Sequence, residues 1–150
     1  MIPKGAEGIG HLATRLLIET MPKATDAYMA ADLGMVAGLL GMVAQDYDRA
    51  AEVLMTDGAE IRALFEEAAG LPLGAQIKDR IAAALASRPA GLRISQLSDH
   101  MDRTMRVLID LHAAVEDAAA DGGAWAGPFD AKIWTFLENH VARHAYESTF

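Results

Sequence analysis

Ile94–Ala120 reads ISQLSDHMDRTMRVLIDLHAAVEDAAA, and its reading decides the fold. Ile94, Leu97, Met101, Met105, Leu108, His112, Val115 and Ala119 recur at steps of three or four, which places them on one face of a helix. No glycine or proline interrupts the run, so the spacing predicts one long helix from about Ser95 to Ala120.

Working outward, the same period recurs on both sides, and no alternating strand-like run bounded by hairpin dipeptides occurs. Toward the N-terminus, Ile9, Leu12 and Leu16 mark a helix over about Glu7 to Met21, ended by Pro22. Thr25 is the expected cap of a second, central helix from about Asp26 to Met55, with Tyr28, Ala31, Met35, Leu39, Met42 and Val53 inward. Asp57 and Glu60 have the spacing of a capping box, so a new helix, or a bend, is expected there before Ile61, Leu64 and Phe65. Gly70 and Pro72 end that segment.

A shorter helix follows over about Ala75 to Ser87, with Ile77, Ile81 and Ala84 inward, and Pro89 to Gly91 break the chain before the long helix. Gly122 and Gly123 close the long helix, and a last one runs from about Pro128 to Ser148 with Ile133, Leu137, His140 and His144 aligned. The expected class is all-α: a single domain, residues 1–150, forming an antiparallel bundle of four long helices with one or two short ones.

Composition narrows the function. With 13 basic and 21 acidic side chains the formal charge is −8, which disfavours phosphate backbones and anionic membrane surfaces. There is no cysteine, so disulfides and thiolate chemistry are excluded. The start lacks the pattern of a secretory signal, and the longest apolar run, Leu33–Ala44, is twelve residues, against about 20 for a bilayer span. A cytoplasmic protein that binds neither nucleic acid nor membrane is therefore expected. No Walker loop, strand-linked G-x-G-x-x-G or G-x-S-x-G elbow occurs.

Chemistry is concentrated in histidine. His112, His140 and His144 occupy inward stripes where a bundle carries leucine, and buried imidazoles require partners. His112 and Glu116 form H-x-x-x-E, His140 and His144 form H-x-x-x-H, and Glu147 follows. Imidazoles at i and i+4 are neighbours able to chelate one ion, with carboxylate oxygen completing the set. Folding the last two helices as a hairpin staggers His112 and His140 by roughly 4 to 5 Å along the axis. A shared site for Zn, Ni or Fe is thus expected from His112, His140 and His144, with Glu116, Asp46 or Glu147 supplying a carboxylate. His11 and His100 fall off the stripes and are expected to face solvent.

H-x-x-x-E followed by H-x-x-x-H, at His112/Glu116 and His140/His144, resembles a fragment of the hemerythrin-like pattern. A further C-terminal H-x-x-x-x-D helix is missing, so the resemblance implies neither oxygen binding nor a di-iron centre. The terminal H-x-x-x-H is also similar to DinB-like proteins, but their second-helix histidine is missing here and only Asp46 lies in a comparable region.

Three functions follow from these readings: a bundle that binds a small-molecule or protein partner, a metal-binding bundle with hydrolase, transferase or sensor chemistry, and a structural helical homo-oligomer. Gly34, Gly38 and Gly41 within the apolar run would let a second copy approach closely, which gives the homodimer expectation. Sedimentation equilibrium is expected to give twice the chain mass; a monomer at micromolar concentration returns that surface to the internal core.

Overall fold

A computed structural model describes residues 4–147. Among them are five α-helices and no strand: α1 (Gly5–Arg15), α2 (Ala27–Ala68), α3 (Ala75–Ala86), α4 (Ile94–Ala120) and α5 (Ala126–His144). The all-α class is as the periodicity indicates. Between α1 and α2 the chain makes a π-helical turn, Leu16–Thr20, and a 3-10 turn, Met21–Lys23, that contains Pro22.

Two boundaries differ from expectation. Asp26, not Thr25, caps α2, its Oδ1 accepting the Met29 N–H at 2.8 Å. More consequentially, α2 does not break at Asp57 and Glu60 but continues to Ala68. Those two carboxylates have a tertiary use that a capping box would not give them.

Packing divides the chain into two compact units, one drawn from Met1–Ala50 and Tyr146–Phe150, the other Ala51–Ala145. In the first unit Ala13 and Ala37 are buried. A Cβ on Gly5 would lie 2.7 Å from Cζ of Tyr47, so only glycine admits that ring. Gln45 bonds the Glu147 backbone in both directions, at 2.9 and 3.0 Å, and the Tyr146 hydroxyl donates to Asp46 at 2.9 Å.

The expected inward stripe of α2 is the wrong one. Met35, Leu39 and Met42 are 61, 54 and 42% exposed. The reason is that Ala27–Ala44 carries apolar or small residues nearly all round, with Asp32 its one charge. Period alone then does not say which face turns inward, and the smaller side chains pack. The unbroken-run count of twelve also understates this helix: an 18-residue window of α2 reaches a mean hydropathy of 1.6 and is only 11% buried. By length and composition α2 is able to cross a membrane, so the twelve-residue run does not by itself exclude a span.

The second unit has one core. Ile61, Leu64, Phe65 and Ala68 of α2 meet Ile77 and Ile81 of α3, Met101, Leu108, Leu111 and Val115 of α4, and Ala126, Phe129, Ile133 and Phe136 of α5. Leu137 packs half-buried against it. The α4–α5 connection is held by a Schellman turn: Gly122 at φ +82°, Gly122 N–H bonded to Ala119 O and Gly123 N–H to Ala118 O. Pro128 falls inside the first turn of α5, where its missing N–H removes no helical bond. Side-chain pairs Asp57–His144, Glu60–Arg143 and Glu67–Lys132 run in opposite order along α2 and α5, so these two helices are antiparallel.

Leu108 is 2% exposed, and Leu108→Ala is expected to lower unfolding stability by roughly 2–5 kcal/mol. Leu39→Ala should change it by no more than about 0.5 kcal/mol. Denaturant titration checks both, followed for Leu108→Ala by the fluorescence of Trp125 and Trp134, which lie in the second unit, and for Leu39→Ala by far-ultraviolet circular dichroism.

Candidate metal centre

The buried stripe of α5 starts apolar and ends polar. Ala126, Phe129, Ile133 and Phe136 are buried, and the next turn on that face brings His140, Arg143 and His144. On α2 the stripe of Ile61, Leu64, Phe65 and Ala68 continues one turn back to Asp57, whose side chain is 0% exposed. Antiparallel packing of these helices therefore sets Asp57 against the last full turn of α5.

Asp57 is fully satisfied there. Its Oδ2 lies 2.7 Å from His140 Nδ1 and 2.8 Å from His144 Nε2. Its Oδ1 accepts from Arg143 at 2.7 Å. Arg143 in turn clasps Glu60 through both terminal nitrogens, at 2.8 Å each, the planar two-point geometry that favours arginine over lysine. The imidazoles stack obliquely with centroids 4.2 Å apart, and Phe136 lies 5.8 Å beyond His140. Burial by itself would raise the Asp57 carboxyl, but hydrogen bonds from His144, Arg143 and His140 outweigh it and hold the group below the usual carboxylate range. Arg143 is pushed up, chiefly by its bonds to Glu60.

One carboxylate oxygen and two imidazole nitrogens, all within 4.8 Å of one another, form a group able to hold a metal ion. Metal bonds of about 2.0–2.2 Å in a tetrahedral arrangement separate ligand atoms by roughly 3.3 Å. The present spacings thus have to open by about half an ångström and both rings have to present a lone pair. Three ligands leave a fourth position for water or a ligand oxygen, as in catalytic rather than structural zinc sites.

The expected residues distribute unevenly. His140 and His144 converge. His112 does not join them; its Nε2 is 2.8 Å from Asp130 and 3.8 Å from Glu116, with the ring edge-on to Trp134 at 5.6 Å. Asp130 lies ten residues before His140, about 15 Å along the helix. Because α5 begins at Ala126, each of its residues is farther from the turn than a start near Pro128 implies. Asp46 and Glu147 belong to the first unit, bonded to Tyr146 and Gln45, so the carboxylate of the histidine pair is Asp57. His100, expected in solvent, is half-buried.

Comparison of the chain with protein-family models, curated proteins and solved structures gives no match.

Asp57→Asn removes the charge that three cationic or donor groups share, and is expected to destabilise the second unit by roughly 3–5 kcal/mol. Because the folded pKa is depressed, the stabilisation is complete above the unfolded carboxylate value of about 3.9 and is lost as pH falls through the folded value. Urea midpoints for wild type and Asp57→Asn, far apart at pH 7, should draw together as pH falls below about 3.9.

Proposed function

We propose that the protein is a helical metal-binding protein whose ion is held by Asp57, His140 and His144. The observation that carries this is the convergence of both imidazoles on one oxygen of a carboxylate without solvent exposure. Two nitrogens and one oxygen suit a borderline ion such as Zn(II), with Fe(II) and Ni(II) of the same preference. Arg143 fixes the other Asp57 oxygen and Glu60 balances Arg143, an outer arrangement that orients a ligand carboxylate and sustains its basicity. The free position would let the ion polarise a carbonyl or lower the pKa of a bound water, the chemistry of a hydrolase, a transferase or a sensor.

A specific observation favours a second reading. Among the described residues no buried side-chain nitrogen or oxygen lacks a hydrogen-bond partner, so the cluster is complete as an ionic lock between α2 and α5. Metal uptake separates the two.

Calorimetric titration of zinc into chelator-treated protein, purified without a nickel column, is expected to show one ion per chain. His140→Ala and His144→Ala should each weaken binding at least tenfold, and His112→Ala should leave it unchanged. Uptake should also weaken on acidification, since protons compete for the ligand nitrogens. Absence of saturable one-to-one uptake leaves the ionic lock as the role of the cluster.

A further inference from the structure

On another face of α2, about 100° round the helix from Asp57, lies a cavity of about 310 Å³ within the second unit. Its walls are apolar: Leu54 and Phe65 of α2, Leu85 of α3, Leu97 and Met101 of α4. Gly58 opens it, for a Cβ there would lie 3.7 Å from Cε of Met101 and anything longer would extend into the space. The volume is at the lower end of small-ligand pockets.

The polar lining is cationic. Nη1 of Arg62 and Nη1 of Arg88 each donate to the Leu85 carbonyl at 2.8 Å, so the two nitrogens lie within twice that distance of each other. Arg62 has Glu66 as a partner through Nε at 3.0 Å. Arg88 also donates to the Ser87 carbonyl, at 2.6 Å. Neither Arg88 nor His100 has a carboxylate partner among the described residues, although the chain carries an excess of eight negative charges. An acidic protein that leaves a guanidinium uncompensated beside an apolar cavity has a place for an anion with an apolar body.

We propose that this cavity binds an apolar monocarboxylic acid, its chain against Leu54, Phe65, Leu97 and Met101 and its carboxylate between Arg88 and His100. One carboxylate offers two oxygens, enough for one guanidinium and one imidazole N–H. At about 30 Å³ per water-sized group the space holds roughly ten such groups, the size of an acid of eight to ten carbons. Burial, then the charges of Arg103 and Arg88, holds the His100 pKa below its ordinary value, so the ring acts as a neutral donor and the arginine carries the charge.

Calorimetric titration with decanoate, below its micellar concentration, is expected to show saturable one-to-one binding with Kd on the order of 10–100 µM. 1-Decanol, with the same chain and no charge, should bind at least tenfold more weakly. Gly58→Leu should abolish decanoate binding, and the more conservative Arg88→Gln, on an exposed side chain, should weaken it about tenfold while leaving decanol unchanged. Equal affinity for acid and alcohol, non-saturating uptake, or undiminished binding by Arg88→Gln would overturn the proposal; should Gly58→Leu not fold, Arg88→Gln alone decides. Wild-type protein should bind decanoate equally with and without zinc or chelator, so this result and the zinc titration fail or succeed independently.

Discussion

A carboxylate with no solvent exposure, placed in the middle of a helix, constrains everything around it. Ionised Asp57 has lost its hydration, and the cost is offset only where donors of fixed geometry reach both oxygens. All three donors come from one turn of α5, at positions 140, 143 and 144, the spacing at which helical side chains share a face. Sliding α5 by one turn would strand Asp57 and detach Arg143 from Glu60. A greasy interface tolerates such slippage far better than a charged one does, so the network fixes the register that the apolar core merely favours. The Glu67–Lys132 pair, more exposed, follows the same register.

Much of this is legible from residue spacing, and the parts that are not have identifiable causes. Helix α4 is readable because its inward stripe is bounded by charge, with Asp99, Asp102, Arg106 and Asp110 on its other faces; Leu97, Met101, Leu108 and Val115 are buried as the spacing indicates, whereas Ile94 is exposed and Thr104 and Leu111 are buried beside the stripe. The His140/His144 pair is readable for the same reason, two polar side chains on an otherwise apolar stripe. Asp57 misleads because D-x-x-E fits a helix start as well as it fits two carboxylates on adjacent turns. Its position four residues before Ile61, on the stripe that continues to Phe65 and Ala68, is the signal that favours the second use. Arg143 gives no such signal, since an arginine near a helix C-terminus is expected on dipole grounds alone.

The first half of α2 shows the limit of periodicity itself. Where nearly every position is apolar or small, no face is distinctly more apolar than the others, and the inward one is chosen by shape. Ala13 and Ala37 pack there, whereas Tyr28, Met35, Leu39 and Tyr47 remain exposed. Large side chains on the outside and small ones inside invert the usual arrangement of a soluble helix. An apolar surface of this kind has lipid or another protein surface as its natural complement, and a Cβ on Gly38 would meet nothing within 4 Å.

Charge organises the second unit as firmly as hydrophobicity does. The two faces of α2 between Leu54 and Phe65 meet opposite electrostatic surroundings. Asp57 and Glu60 present two negative charges to one arginine and two imidazoles, a set that gains by taking up a cation. Arg62, together with Arg88 at the end of α3, presents two positive charges to one glutamate, a set that gains by taking up an anion. The first set also serves folding, since it holds the register of α2 against α5. On the two proposals above, these two faces of the helix would take ligands of opposite charge.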